Sequence, residues 1–236
     1  MRKDAVFVVG EFYHVYNRGT RKSKIFLSES DYRRWEECLY WCNKFGYPYS
    51  LLRQQINQAK KSGRNVKEVV EQIEMQYRLP EPLVNVISYA HMPNHFHLVL
   101  RQNMDGGISK FMHKVSVSYA KYFNKKYILT GSLYEGNFRA VLIESEPQLL
   151  EVSRYVHTNP AVAGIVDAKG LLGYLWTSLR LYAGEEINKL VDTSYLLGLS
   201  NNNVEELVKF TLSRITDDNE GLLEGVTIDG NKLARK

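Results

Sequence analysis

Residues 82–102, PLVNVISYAHMPNHFHLVLRQ, constrain the fold of this 236-residue chain more than any other segment. They contain two apolar stretches, 83–90 and 95–101, which are rich in β-branched and aromatic side chains and flank a Met-Pro-Asn sequence at 92–94. Such stretches favour β-strands, and a short connection that holds proline and asparagine favours a turn. The segment therefore predicts two strands that are joined by a tight turn and anchored in the core.

The rest of the chain alternates between strand and helix patterns. Strands are predicted at 11–19 and 137–145, and helices at 28–46, 109–127, 146–158 and 176–184. The order of these elements predicts an α+β fold in which helices pack on an antiparallel sheet.

Two segments fall outside this core pattern. Residues 54–78 are polar and helix-prone, which indicates a charged helical insertion (about 54–80) rather than core. Residues 191–215 have helical periodicity with three asparagines at 201–203 as a turn. We expect one domain over residues 1–184 and a small helical extension over 185–236.

The composition is that of an ordinary globular protein with a basic balance. Hydrophobic residues make up 44% and charged residues 24%, the formal net charge is +5, and the sequence pI is about 9.0. No stretch approaches the roughly 20 apolar residues that a bilayer span needs, so we expect a cytoplasmic protein without a membrane partner. Cys38 and Cys42 fit a reduced pair, because two thiols alone do not complete a zinc site.

Positive charge is concentrated between residues 101 and 139. This segment holds seven Lys or Arg and two acidic residues, with seven aromatic residues interleaved: Phe111, Tyr119, Tyr122, Phe123, Tyr127, Tyr134 and Phe138. Cations follow a phosphate backbone and aromatic rings stack on unpaired bases. A helix with a solvated basic face and an aromatic core face explains the composition equally well. From residue 201 onward acidic residues outnumber basic ones seven to five, so we do not expect that tail to contact DNA.

The His95-Phe96-His97 sequence is the first candidate site. On a strand, residues two apart point to the same face, so both imidazoles project together while Phe96 faces the other way. Two imidazoles on one rigid strand can bind a divalent cation. The alternative is one hydrogen-bonded core histidine and one exposed histidine. His91 is a further possible contributor, but Pro93 interrupts the pattern and leaves its direction open.

A second candidate lies at Tyr155 and Asn159. Residues four apart share a helix face, with an axial rise of about 6 Å between them. Because Pro160 disfavours α conformation at the residue before it, we expect the helix to end at Asn159, where the amide oxygen can turn toward a metal. The alternative is that Asn159 caps the helix and Tyr155 packs in the core.

Four motifs together resemble the single-tyrosine transposases that carry an HUH sequence, two histidines separated by a bulky hydrophobic residue. They are HVYNRG near the start, HMPNHFHLVL, LYEGNFRAVLIE and YVHTNPAVAGIV, in that order. The combination is similar to the REP-associated tyrosine transposases and their insertion-sequence relatives. The resemblance spans about residues 11–182, without the 54–78 insertion.

This resemblance implies a ferredoxin-like antiparallel sheet with helices on one face, and a Mg²⁺ or Mn²⁺ ion. It implies that His95 and His97 bind the metal, that Tyr155 is the nucleophile, and that Asn159 is the third ligand, a role that Gln fills in some members. Arg18 and Arg139 are expected to contact phosphates, with surface ion pairs as the alternative. The implied partner is single-stranded DNA with a hairpin, which we expect helix 109–127 to contact through Lys110, Lys114 and Lys121. The oligomeric state is a monomer or a homodimer.

Three other functions are compatible with parts of this pattern. A domesticated transposase can act as a DNA-binding protein without catalysis, although such a protein does not need His95, His97 and Tyr155 together. A relaxase or a replication-initiator nickase shares the two histidines but not the flanking motifs. A metal-dependent phosphodiesterase that activates water would keep its activity without Tyr155.

Overall fold

The computed structural model describes residues 6–184 and 189–213. A single sheet contains the strands β1 (Phe12–Arg18), β2 (Val84–Met92), β3 (His95–Gln102) and β4 (Arg139–Ile143). The strands lie in the order β2-β3-β1-β4, and every pair of neighbours is antiparallel. This is the ferredoxin-like order, so the predicted α+β fold class is confirmed.

Eight α-helices lie within the described residues. They are α1 (Glu29–Lys44), α2 (Tyr49–Lys61), α3 (Val66–Tyr77), α4 (Gly107–Tyr127), α5 (Glu146–Val162), α6 (Leu179–Tyr182), α7 (Ser194–Leu199) and α8 (Val204–Ser213). Each predicted helix is present, although the one predicted at 176–184 shortens to α6. The parts of the predicted C-terminal extension at 185–188 and 214–236 lie outside the described residues.

Helices α1 and α4 cover one face of the sheet. Alternate β3 residues, Phe96, Leu98 and Leu100, point to this face and are fully buried. The Phe96 ring lies 4.6 Å from the Trp35 ring of α1, which in turn lies 5.2 Å from the Tyr119 ring of α4. Burying one large apolar side chain of this kind stabilises the folded state by about 1.5–3 kcal/mol. Because most of the buried apolar side chains lie in this layer, it is the main core.

The opposite face is covered as well, by α5 with α7 and α8 beyond it. The expectation of helices on one face therefore holds for α1 and α4, whereas α5 forms a second layer. The reason lies in the strands, because β2 and β3 carry apolar residues on both faces. Ala90 and Val99 point away from α1 and pack with Val152 and Val156 of α5. A face with such residues must be covered by another element.

Helix α5 does not end at Asn159 as predicted but continues to Val162, with Pro160 inside it. Proline lacks a backbone N–H, so the helix continues through Pro160 with one i→i−4 hydrogen bond fewer. The backbone N–H of Ala163 donates to the Asn159 carbonyl, at 2.9 Å, and closes the last turn. Asn159 is therefore held inside the helix and is only 8% exposed.

The insertion is helical as predicted, but it is not uniformly peripheral. Leu52, Ile56 and Ala59 of α2 are buried at helical spacing, whereas no residue of α3 is buried. Helix α2 thus belongs to the core beside α1, and α3 forms its outer, charged cover. The boundary of a separate extension near residue 185 stays a prediction.

Candidate active site

The candidate site lies on the sheet face that α5 covers. Register places Tyr16 of β1 opposite His97 of β3, and Arg18 opposite His95. Side chains that are directly opposite in an antiparallel pair share a face, as do residues two apart on one strand. His14 therefore joins this group from β1, two residues before Tyr16.

His95 and His97 project together, as the strand pattern predicts. Their ring centroids are 5.1 Å apart, with 78° between the planes. The Nδ1 atom of His95 lies 2.6 Å from the side-chain oxygen of Asn94, so Nδ1 carries the proton and donates it. The Nε2 atom of His95 is then the nitrogen that can bind a cation.

His97 is oriented from both sides. Its Nδ1 lies 2.9 Å from Nε2 of His14, and its Nε2 lies 3.3 Å from the side-chain nitrogen of Asn159. With the Asn159 amide donating to Nε2, the ring proton of His97 resides on Nδ1, which donates to His14. Both histidines of the pair then present Nε2 as the unprotonated nitrogen.

His97 is fully buried, and burial holds its pKa well below the usual range. The neighbouring imidazoles of His14, His95 and His91 add to this effect, because a second positive charge is unfavourable beside them. The ring is therefore neutral at physiological pH, which is the form that binds metals.

Tyr155 and Asn159 reach the same place from α5. The Tyr155 ring centroid lies 5.5 Å from that of His97 and 6.0 Å from that of His14, edge to face in both cases. Between Glu151 and Pro160 every residue except Tyr155 is buried. The structure thus brings His95, His97, Tyr155 and Asn159 together, although they come from parts of the sequence about 60 residues apart.

Sequence reasoning missed His14 and Tyr16 as members of this group. His14 is fully buried and its ring stacks on His97, with centroids 5.1 Å apart and planes 10° apart. Tyr16 is 6% exposed and its ring lies 6.2 Å from that of His97. The signal was present in HVYNRG, where alternation puts both residues on one face of β1. The alternation within this motif does not show which strand lies beside β1.

The residues present fit a divalent metal in part. Within residues 6–184 and 189–213, no three His, Cys, Asp or Glu side chains are grouped so that they could hold an ion. Two imidazole nitrogens and the Asn159 amide form the available donor set. Metal binding through the amide oxygen would require rotation of the amide plane, because its nitrogen now faces His97.

Two arginines flank the site, Arg18 at the end of the inner strand β1 and Arg139 at the start of the edge strand β4. Arg18 forms an ion pair with Glu135, and this hydrogen bond holds the pKa of the Glu135 carboxyl below its usual range. Arg139 lies opposite Tyr16 on β4 and is exposed. Arg139 therefore presents a guanidinium group near the rim of the site, whereas Glu135 holds that of Arg18.

The lysines proposed for DNA contact lie elsewhere, on α4, which packs on the opposite face of the sheet. Lys110 and Lys121 are exposed. The ammonium group of Lys114 donates to the carbonyl oxygens of Cys42 and Phe45, both at 2.8 Å. These bonds hold the C-terminus of α1, which makes Lys114 primarily a structural residue.

His91 does not belong to the site. Strand β2 continues through it to Met92, and register places it opposite Phe96, on the α1 face. Neither of its ring nitrogens has a hydrogen-bond partner in the described part of the protein, and burial lowers its pKa to about 3.

A family profile described as "Transposase IS200 like" matches residues 49–159. Among solved structures, a REP-associated tyrosine transposase bound to a REP hairpin superposes with a TM-score of 0.47 at 13% identity, covering 83% of this chain and 96% of that one. A transposase assigned in Deinococcus radiodurans superposes with a TM-score of 0.31 at 12% identity, covering 67% of this chain and 97% of that one.

No curated protein matches the sequence. Among the described residues, no helix is long and apolar enough to cross a membrane. The match of residues 49–159, which include β2, β3 and α5 as far as Asn159, carries the assignment. By this match residues 49–159 carry the sequence pattern of the IS200-like transposases.

Proposed function

We propose that this transposase cleaves and rejoins single-stranded DNA with Tyr155 as its nucleophile. The observation that carries the proposal is the position of the Tyr155 ring, 5.5 Å from His97 and accessible to solvent on an otherwise buried stretch of α5. A phosphodiester can approach a side chain there while the buried part of the helix holds that side chain in place.

The chemical step is a transesterification. The phenol oxygen of Tyr155 attacks phosphorus, the bond from phosphorus to the 3′ oxygen breaks, and the departing strand leaves as a 3′-OH. The phenol gives up its proton and the 3′ oxygen takes one up. The product is a 5′-phosphotyrosine that keeps the energy of the ester bond, so the 3′-OH of another strand can reverse the step without ATP.

His95, His97 and Asn159 would hold Mg²⁺ or Mn²⁺ in this proposal. The hydrogen bonds at both Nδ1 atoms support it, because they leave Nε2 of each ring to bind a cation. The ion would polarise the scissile phosphate and neutralise the charge that develops there. Arg18 and Arg139 would supply further positive charge at the rim.

The substrate proposed is a single strand that carries a hairpin. Support comes from the four sequence motifs and from the excess of positive charge on segment 101–139. Lys110, Lys114 and Lys121 remain the proposed contacts on α4, with Lys114 the weakest candidate because two carbonyls already engage it.

The experiment that tests the nucleophile is mass spectrometry of the peptide that stays attached to DNA. The protein is incubated with a hairpin-bearing oligonucleotide and Mn²⁺, then digested with trypsin. Modification is expected on the peptide 155–169, whereas Tyr13 and Tyr16 lie on the separate peptide 4–18. An adduct on 4–18, or hydrolysed DNA with no attached peptide, would exclude Tyr155 as the nucleophile.

A further inference from the structure

A second feature lies on the opposite side of the sheet from Tyr155. A cleft of about 760 Å³ opens between α2 and α4, with part of α1 as its floor. Tyr49, Arg53 and Asn57 line one wall at a spacing of four residues, which places them on one face of α2. Lys121 and Lys125 line the facing wall at the same spacing.

The charge of this cleft is one-sided. Its lining contains six cationic side chains and no acidic one: Arg34, Arg53, Lys114, Lys121, Lys125 and Lys126. Four of these are engaged elsewhere. Lys114 binds backbone carbonyls, Lys126 pairs with Asp31 at 2.6 Å, and Arg34 and Arg53 both pair with Glu37.

Lys121 and Lys125 remain at the rim. Both are exposed, and neither makes a hydrogen bond or an ion pair within the described parts of the chain. Their positions are one helical turn apart, or about 6 Å along the axis. Long lysine side chains at this separation can contact phosphates of one strand, whose axial spacing is about 3.4 Å.

The walls also carry planar groups, namely a guanidinium and tyrosine rings, and side-chain amides. The guanidinium of Arg34 lies 4.6 Å from the centre of the Tyr122 ring and 5.6 Å from that of Tyr49. Gln54 and Asn57 add side-chain amides on α2. Nucleic-acid-binding surfaces combine cations, planar groups and amides in this way, because these groups contact phosphate, sugar and base edges.

We infer that the cleft between α2 and α4 binds the sugar-phosphate backbone of DNA, and that the insertion helix α2 builds one wall of this second contact surface. The inference deepens the proposed function and rests on DNA being the substrate. The cleft and Tyr155 lie on opposite faces of the sheet, so one DNA molecule that reaches both must pass around an edge. The cleft therefore anchors DNA outside the region where cleavage occurs.

Fluorescence anisotropy with a labelled DNA hairpin tests this inference. The full chain is titrated in EDTA at several salt concentrations, so that binding is measured without cleavage. The test variant is Lys121→Gln with Lys125→Gln, and Arg53→Gln is measured separately to test the α2 wall. The matched control is Lys60→Gln with Lys61→Gln, which removes the same charge from exposed positions on α2 outside the cleft.

We expect the test variant to bind more weakly and to lower the slope of log K against log salt by about 1–2, because each lost phosphate contact lowers it by roughly 0.7–0.9. The same loss is expected with an unstructured poly(dT) strand, since the contact is to the backbone. The control should retain the slope of the unmodified protein, and Arg53→Gln should show a smaller loss. Unchanged affinity and slope in the test variant would overturn the inference, and so would equally strong binding of a polyglutamate peptide.

Adduct formation with Mn²⁺ is scored separately on the same DNA. If the unmodified protein forms no adduct but the cleft variant still loses salt-dependent binding, the inference stands and the proposed transesterase activity fails. If the adduct forms and the cleft variant binds like the unmodified protein, the transesterase activity stands and the inference about the cleft fails.

Discussion

The Nδ1 atom of His97 lies 2.9 Å from Nε2 of His14, and this pair ties the two central strands together at the candidate site. Metal-binding histidines usually donate their second ring nitrogen to a neighbour that fixes the tautomer and the ring orientation. His14 holds that place for His97, from a position 83 residues earlier in the chain. It is a positioning residue for the proposed metal site.

The first prediction concerns His14. Replacing it with Ala removes the partner of His97 Nδ1, so we expect metal affinity to fall by about 10–100-fold. The Mn²⁺ concentration that supports half-maximal adduct formation should rise by that factor, and excess Mn²⁺ should restore activity. His91→Leu is the control, because His91 lies on the other face of the sheet. An unchanged Mn²⁺ dependence in His14→Ala would remove the positioning role.

The second prediction concerns the ligands themselves. His95→Ala and His97→Ala should each abolish metal-dependent cleavage, because a single imidazole with an amide leaves too few ligands. Binding of the DNA hairpin in EDTA should change by less than about threefold, since neither ring is needed for phosphate contacts away from the site. Metal-stimulated cleavage that persists in either variant would contradict the assignment of that residue.

The third prediction compares two buried histidines whose pKa values are both lowered to about 3 by burial. His157 Nε2 lies 2.8 Å from the Ser178 hydroxyl, whereas neither nitrogen of His91 has a hydrogen-bond partner in the described structure. A buried polar group without a partner costs about 1–3 kcal/mol. We therefore expect His91→Leu to raise the free energy of unfolding by about 1 kcal/mol, and His157→Leu to lower it by a similar amount.

Urea unfolding followed by circular dichroism measures both changes. The comparison cancels the effect of the substitution itself, since each variant replaces a buried imidazole by leucine. Equal destabilisation of the two variants would show that the hydrogen bond of His157 does not distinguish them.

The fourth prediction concerns pH. Burial raises the pKa of Glu36 to about 7 from an ordinary value of 4.5, against a smaller opposing effect of the hydrogen bond from Tyr89. Between these two pH values the folded protein keeps a proton that the unfolded chain has released. The free energy of unfolding should therefore fall as pH rises from about 4.5 to about 7, and this contribution should level off above pH 7.

Glu36→Gln should remove this contribution, because a glutamine does not titrate. The measurement is the urea midpoint at pH values between 4.5 and 8, with Glu29→Gln as an exposed control on the same helix. If the variant and the unmodified protein show the same pH dependence, Glu36 does not titrate in this range.

The strands and the direction of the HFH side chains could be predicted because both depend on local alternation. Phe96 and His97 point to opposite faces in the structure as the period of two requires. The capped helix α1 followed from its own residues too, since Ser28 and Asp31 form a capping box.

What could not be predicted depends on pairing between distant segments. His14 joins the site because β1 lies beside β3, and no local pattern specifies that register. The face on which α5 packs was open for the same reason, since residues 151–160 are buried on nearly all sides. The structural use of Lys114 likewise depends on where the C-terminus of α1 lies.

Covalent capture of DNA by two tyrosine variants tests the central claim most directly. Tyr155 and Tyr16 both lie beside His97, but Tyr16 is buried, so the two phenols differ in their access to a scissile phosphate. The unmodified protein, Tyr155→Phe and Tyr16→Phe are incubated with a labelled hairpin oligonucleotide and Mn²⁺, and the adduct is resolved on a denaturing gel. We predict that Tyr155→Phe lowers the rate of adduct formation at least about 1,000-fold, as expected for loss of a nucleophile. The affinity of this variant for the DNA hairpin should be retained. An adduct that persists in Tyr155→Phe and disappears in Tyr16→Phe would contradict the account.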